Sequence, residues 1–419
     1  MVNNKNSGAT PASLRKTHRG MILSRIQAAP GVSRAELARM CGFSEMAATR
    51  IARELLAAGI IEEASDADKG QVKKNHVGRP KTGLHIVKNG LFAAGITVSA
   101  YHSEVSICDA DGHLCSSSRP ENVPFSNVSD AARFYAKALR DLIEAANIDV
   151  DRIVGIGVAL SARTAPERGE IVVSEYFGWS NDGGQFCREI QKIINLPVEI
   201  ENIANALAIG EMRFGVARGV ADFTLIHAAT FVGASMVSEN RLVRGDRGVA
   251  GLLGHFRAEE RPLTCICGRH DCLNLSATGF GLLSQLGKLD HQTFDTSKLS
   301  FYAASLLAAL KEPLTRELVE EAGTHLAPAL DSVAKLLGPK MIVLGGYLGT
   351  DESYFNAVQS TLADQFDYDL GTSFELVKGT ISSVEAASLL ALHAFCYSDR
   401  LDYGRFAPAL DQAGAQTRG

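Results

Sequence analysis

Residues 244–255 read RGDRGVAGLLGH and residues 265–274 read CICGRHDCLN. The second stretch holds Cys265, Cys267 and Cys272, and the first ends on His255, so together they offer one imidazole and three thiolates. Four nitrogen and sulfur ligands complete the tetrahedral shell of zinc and leave no position for water. His255, Cys265, Cys267 and Cys272 are therefore candidate ligands of one structural Zn2+ per chain. Gly268 turns the chain between the thiols, and His270 is a competing fourth ligand whose place between Cys267 and Cys272 strains a small chelate. The alternative without metal is three reduced, buried thiols beside an unrelated histidine. Cysteines crowded in this way form a metal pattern, not a disulfide framework, and suit a reducing compartment.

Outward from this point, strand and helix patterns alternate. LFAAGITV (91–98) and SEVSICDADG (103–112) predict a hairpin, 129–146 a helix and RIVGIGVAL (152–160) an apolar strand. LPVEIEN (196–202) reads as a strand, IANALAIGEMRFG (203–215) as a helix, FTLIHAAT (223–230) and ASMVSENRLVRG (234–245) as a second hairpin, and KMIVLGGYL (340–348) as a buried strand ending at a glycine turn. Periodicity alone supports α/β; two comparable halves suit a two-lobed body with a ligand in the cleft between them.

The 419 residues are too many for one ordinary core. Hydrophobic residues make up 46% and charged residues 21%, close to globular averages, which excludes collagen-like, disordered and coiled-coil classes. No apolar run approaches the roughly 18 residues that span a bilayer, and the polar start MVNNKNSGAT has no signal-peptide pattern. These features predict a cytoplasmic protein with no membrane partner.

The net charge of -5 conceals an asymmetry: residues 1–90 hold 15 Lys and Arg against 7 Asp and Glu, and the remainder 27 against 40. A basic head on an acidic body is the footprint of a nucleic-acid-binding module joined to something else. Within the head, 14–29 predict a first helix stopped at Pro30-Gly31. Ser33 caps a short second helix with Glu36 as capping-box partner, Cys41-Gly42-Phe43 turns, and Ser44 caps a third helix ending at Gly59. This is the helix-turn-helix order, in which the last helix enters the major groove by its N-terminal residues. Candidate contacts to double-stranded operator DNA are Ser33, Arg34, Ser44, Glu45, Met46, Ala48, Thr49, Arg50 and Arg53. Strands at 60–62 and 84–87 around a Lys-rich stretch predict a wing, with Lys73, Lys74, Arg79 and Lys81 on phosphate and Gly78-Arg79-Pro80 narrow enough for a minor groove. The competing reading is a small helical bundle with a solvated charged face.

The 244–255 and 265–274 segments resemble the signature of the ROK family of repressors, open reading frames and sugar kinases. VGIGVAL, GWS around Trp179, LPVEIENIANALAIGE and MIVLGG follow in the family's order, and a winged head marks the repressor branch. The resemblance implies a winged helix-turn-helix domain (1–88) before a two-lobed actin-like, sugar-kinase-like body of ribonuclease H-like α/β type. Its lobes are expected at 89–205 and 206–400, with a flexible tail at 401–419. It also implies zinc on His255 and the three cysteines, a hexose-type effector beside the zinc loop, and homodimers or homotetramers.

Carried over residue by residue, the resemblance breaks at the kinase positions. The DxGxT phosphate segment reads Thr97-Val98-Ser99-Ala100-Tyr101, the catalytic Asp of an Asn-Asp pair is Ile203 after Asn202, and the glycine-rich second phosphate loop is Ala228-Ala229-Thr230-Phe231-Val232-Gly233. Isoleucine accepts no proton, so kinase activity is not expected. Two sugar-binding glutamates of the family fall on Leu252 and Asn274. Asn202, His255 and Asn274 remain, with Glu201 and Ser161-Ala162-Arg163 as possible new contacts. The sequence thus predicts a non-enzymatic, DNA-binding repressor of carbohydrate genes answering to a sugar or sugar derivative of altered type. A constitutive regulator without effector is the alternative, and a sugar kinase with a DNA-binding extension is the enzymatic one.

Overall fold

The computed structural model describes residues 11–65, 82–99, 102–120, 125, 127–289, 295, 298–365 and 374–406. The head comprises α1 (Pro11–Ala28), α2 (Arg34–Cys41) and α3 (Glu45–Ala57), followed by β1 (Ile61–Ser65) and β2 (Thr82–Ile86), which pair antiparallel as the base of a wing. Its elements come in the predicted order, but α1 starts three residues before position 14 and the wing strands run on to Ser65 and start back at Thr82. The Ser33–Glu36 capping box opens α2, Gly42 closes it in the left-handed conformation, and the Ser44 hydroxyl accepts from Ala47 N at the start of α3. The wing tip with Lys73, Lys74, Arg79 and Lys81 lies outside the described residues.

The first lobe contains β3 (Phe92–Val98), β4 (Ser103–Asp109), β5 (Leu114–Ser118), α4 (Val128–Ala145) and β6 (Ile153–Leu160). A small sheet of β7 (Arg163–Ala165), β8 (Glu170–Ser174) and β9 (Trp179–Ser180) follows, then α5 (Gln185–Ile194) and β10 (Val198–Asn202). Helix α6 (Ile203–Arg213) leads into the second lobe: β11 (Phe223–Ala228), β12 (Val232–Ser238), β13 (Arg241–Val243), α7 (Gly279–Gln285), α8 (Leu299–Ala309), α9 (Arg316–Leu337), β14 (Met341–Gly345), α10 (Gly346–Gly349), α11 (Glu352–Gln365) and β15 (Glu375–Lys378). Helix α12 (Ser383–Ala391) and a π-helical turn, Leu392–Cys396, follow, and a 3-10 turn, Tyr403–Arg405, is the last element among the described residues.

The two large sheets run β10-β6-β3-β4-β5 and β13-β12-β11-β14-β15. Numbered within each lobe, both have the order 3-2-1-4-5 or its mirror listing, with strands 1 to 3 an antiparallel meander and strands 1, 4 and 5 parallel. The comparable halves seen in the sequence are thus one topology used twice, and the ends of their central strands meet at a cleft.

Two departures from the expected boundaries have physical causes. Helix α12 lies within 206–400 yet packs on β3, β4 and β6 of the first lobe as well as on α6. Gly157 permits this, because a Cβ there would lie 1.8 Å from the Ala387 carbonyl oxygen. Nor is 401–406 a flexible tail. Leu401 and Phe406 are buried in a core shared with Ile22, Leu23 and Ile26 of α1 and with Leu392 and Phe395, and the Tyr403 hydroxyl donates to the Glu54 carbonyl at 2.8 Å. Residues 407–419 lie outside the described residues. Among the described residues no helix is long and apolar enough to cross a membrane.

The head therefore shares a hydrophobic core with the body. Gly20 of α1 sits against Ser398, where a Cβ would come within 2.1 Å of the carbonyl oxygen. Gly20→Ala is expected to push α1 off this seat and destabilise the protein by about 1–3 kcal/mol, measured by denaturant unfolding. Unchanged stability would mean that the head is only tethered.

Candidate functional site

Three sites emerge: the exposed face of α3, a His/Cys cluster and a cleft between the lobes. On α3 the apolar stripe of Ala48, Ile51, Ala52 and Leu55 is buried in the head, while Glu45, Met46, Arg50 and Arg53 are exposed and Thr49 is half-buried. Met46 is 84% exposed, which is unusual for an apolar side chain at a helix start and suits apolar contact with a base edge. Ala48 is corrected: with 0% exposure it is a core residue and cannot reach DNA. The Ser33 hydroxyl is engaged with Glu36, and Arg34 pairs with Glu63 of β1 at 2.6 Å, so both shape the α2–wing junction.

In the second cluster the ligand atoms of His255, Cys265, Cys267 and Cys272 all lie within 4.8 Å of one another. The Cys267 and Cys272 sulfurs are 3.4 Å apart, and His255 Nδ1 is 3.6 Å from the Cys265 sulfur. Tetrahedral bonds of about 2.3 Å to sulfur place neighbouring ligand atoms about 3.8 Å apart, close to these separations, so the donor set fits such an ion after small adjustments. Burial holds the His255 imidazole below its ordinary pKa, leaving a lone pair for a metal. The loop is built by backbone bonds from Gly268 N to Cys265 O and from Cys265 N to Arg269 O, with the Arg269 guanidinium on Asp271. His270 turns its Nδ1 to the Leu263 carbonyl at 2.8 Å, away from the cluster, and all cysteines are free thiols.

The cleft encloses a cavity of about 370 Å³. The first lobe and the start of α6 contribute Ser161, Ala162, Arg163 and Asn202; the second contributes Thr230, Phe231, Leu252, His255, Cys267 and Asn274, so the His/Cys cluster forms part of its wall. Tyr176 and Phe231, with rings 5.0 Å apart, give it an aromatic side, and Leu252, 48% exposed, stands among its lining residues. The polar groups are partly committed. The Asn202 carbonyl oxygen accepts from Ala204 N and caps α6, while its amide donates to the Ala162 carbonyl. The Asn274 side-chain oxygen accepts from Val232 N at 3.0 Å.

Glu201 is a second correction. It is 1% exposed, does not line the cavity, and its oxygens are taken by Asn202 N, Asn205 Nδ2, Thr164 Oγ1 and Arg244 Nε, the last at 2.7 Å. It ties the first lobe to the second and is no ligand contact. Sequence reasoning missed His227 at the end of β11, a cavity-lining residue whose only signal was a histidine in the otherwise apolar run FTLIHAAT. It also missed Arg213 and Arg218 beyond the cavity. From the far end of α6, Arg213 donates to the Ser24 hydroxyl of α1 at 3.0 Å, and Arg218 to the carbonyls of Gln27 and Ala28 at 2.7 and 2.6 Å.

Residues 93–387 match the model of the ROK family, and residues 15–62 match a winged helix-turn-helix DNA-binding model. The chain belongs to the ROK family. It is 24% identical over 377 residues to the xylose repressor of Bacillus subtilis, covering 88% of this chain and 92% of that one. It is 21% identical over 370 residues to the DNA-binding transcriptional dual regulator NagC of Escherichia coli, covering 86% and 88%. A solved ROK family transcriptional regulator, described as a homologue of the E. coli MLC protein, superposes with a TM-score of 0.73 at 20% identity, covering 94% of this chain and 99% of its own.

Within this ROK body the phosphate-handling positions do other work. The Thr97 hydroxyl donates to the Ser383 carbonyl at 2.9 Å, Ile203 opens α6 as a buried apolar residue, and Ala229 N is bonded to Phe231 O. A metal on the cluster leads to one expectation: the purified protein carries about one equivalent of metal per chain by elemental analysis, and Cys272→Ser loses it together with thermal stability. A metal-free preparation of undiminished stability would remove the site.

Proposed function

We propose that this ROK protein is a sequence-specific transcriptional repressor of carbohydrate uptake or catabolism genes, released from its operator by a sugar or sugar derivative held between the lobes. The observation that carries this reading is α6, which starts at the cavity with Asn202 as its cap and reaches α1 of the head through Arg213 and, just beyond, Arg218. Eleven helical residues span about 16 Å, so a ligand that shifts the start of α6 shifts the seat of the DNA-binding helices. The relatives named xylose repressor and NagC support both the DNA target and a carbohydrate-type effector.

Glu45, Met46, Thr49, Arg50 and Arg53 read the major groove, with Ser44 at its edge and Lys73, Lys74, Arg79 and Lys81 on phosphate. Two copies of the chain present their heads to a pseudo-palindromic site. Zinc occupies the His255, Cys265, Cys267 and Cys272 cluster and stiffens the cavity wall; the donor set of one imidazole and three thiolates supports zinc over harder cations. The protein acts in the cytoplasm and transfers no phosphate, because Ile203 supplies no base and the loop at 228–233 is filled with side chains.

Arg50→Ala and Arg53→Ala are each expected to weaken binding to the native operator by about 5- to 100-fold with an unchanged melting temperature, read by fluorescence anisotropy. Retained affinity in the double variant would remove α3 as the recognition helix. Arg218→Ala is expected to leave ligand-free operator affinity within about threefold while blunting release by sugar, since each lost bond to a helix C-terminus costs only about 0.5–2 kcal/mol. Undiminished release would exclude this arm from the coupling.

A further inference from the structure

A second hollow, of about 520 Å³, shares no lining residue with the cleft cavity. Four arginines, Arg168, Arg188, Arg244 and Arg400, line it against two carboxylates, Glu167 and Glu199. They come from three parts of the molecule. Arg168 follows β7 and Arg188 lies on α5, both in the first lobe, while Arg244 follows β13 in the second. Arg400 lies on the terminal segment whose next residue, Leu401, is buried in the core shared with the head. Like charges gathered from separate elements repel one another unless negative charge lies between them.

Much of the countercharge sits outside the hollow. Arg168 Nε donates to Glu170 and Arg244 Nε to Glu201, each at 2.7 Å, and neither carboxylate lines the hollow. Arg400 pairs with Glu199 at 2.5 Å and stacks on the Phe395 ring at 4.4 Å. Arg188 donates to the Gly183 carbonyl at 2.6 Å and has no acidic partner among the described residues. With the further bond from Arg168 to Glu167, these contacts engage one or two of the five N–H donors of each guanidinium and fix its plane, so donors remain on all four. The side chains of Arg168, Arg244 and Arg400 are 54%, 39% and 47% exposed, within reach of a ligand from solvent. Gly184 keeps the floor open: a Cβ there would lie 3.0 Å from the Arg188 guanidinium and 3.1 Å from the Arg168 carbonyl oxygen.

We infer that this hollow is a second ligand site, built for a small organic phosphate. Guanidinium forks match phosphate oxygens in geometry as well as charge, and a tetrahedral phosphoryl group offers oxygens to donors arriving from several sides, where a carboxylate offers two in one plane. The volume falls in the range of about 300–1,000 Å³ typical of small-molecule sites, more than a bare phosphate ion fills. A phosphate ester held here bridges the first lobe to Arg244 and Arg400, and so reinforces both the interlobe tie and the segment that seats the head. The site does not depend on the reading of the cleft as an effector site.

Isothermal titration and thermal melting of the full-length protein with inorganic phosphate, D-glucose 6-phosphate and D-fructose 1,6-bisphosphate, at constant ionic strength, test the site. At least one ester is expected to bind with about one equivalent per chain, to raise the melting temperature, and to bind about tenfold or more tightly than inorganic phosphate. Arg188→Gln and Arg168→Gln are each expected to weaken that ester by about tenfold, the cost of one charge-assisted bond, with an unchanged melting temperature of the ligand-free protein. No binding by any of the three overturns the site. So does inorganic phosphate that binds as tightly as both esters. An ester whose affinity neither variant changes also overturns it, because that ester is then held elsewhere, as in the cleft. If one variant fails to fold, the other decides. Release from the operator by a neutral sugar, present or absent, bears on the cleft alone.

Discussion

Everything the head can do depends on the apolar seam in which α1 meets the end of the chain. Ile22, Leu23 and Ile26 share one core with Leu392, Phe395, Leu401 and Phe406, and the same cluster takes in Ala93 and Cys108 of the first sheet. A DNA-binding domain on a flexible linker reports nothing about the body that carries it. One that buries its first helix in the body's own core must follow that body when it moves, because packed interiors transmit displacement and do not absorb it. Polar contacts around the rim set the orientation: Arg152 donates to the carbonyls of Ala58 and Gly90, and Arg19 stacks on Tyr403 while pairing with Glu54.

From that seam the structure leads back to the cleft by α6, and a buried carboxylate anchors each end of the helix. Glu201, just ahead of the cap, bonds to Thr164 in its own lobe and to Arg244 across the cleft. Glu211, in the last turn, accepts from the backbone of Val216, Thr380 and Ile381 and from the Thr380 hydroxyl. A carboxylate near a helix C-terminus opposes the helix dipole, so Glu211 is tolerable only because those donors surround it. They also fasten α6 to the segment between β15 and α12. Both ends are fixed to more than one part of the body, and a change in the angle between the lobes has no soft joint along α6 in which to dissipate.

The legibility of these features in the sequence follows the range of the interactions that make them. The capping box at Ser33, the turn at Gly42 and the cysteine spacing are local, and each appears in the structure where the residues place it. The strands of both lobes were legible for the same reason, through their apolar runs. Ala48 misled because a recognition helix has one face outward, and residue type alone does not tell which side of the first turn an alanine takes. Glu201 misled because a glutamate beside a binding asparagine looks available until Arg244, 43 residues on, is seen to occupy it. The head-to-body seam joins residues nearly 400 positions apart, and no local pattern in a single sequence signals such a contact.

On the proposed reading, loss of phosphoryl chemistry and a cleft that answers to a ligand are consistent demands. An enzyme must release its product, and the charge that stabilises a transferring phosphoryl group is of no use to a protein that only senses occupancy. Here the apolar Ile203 and Phe231 and the imidazole of His227 line the cavity instead. The interlobe tie is different in kind. Neither Glu201 nor Arg244 lines the cavity, yet their pairing at 2.7 Å spans the two lobes between which it lies. A ligand that shifts the lobes must work against or with this pair, and α6 begins two residues beyond Glu201, after its cap Asn202. Between the cleft and α1 the bonded path is continuous, from Glu201 through α6 and Glu211 to Arg213 and Arg218.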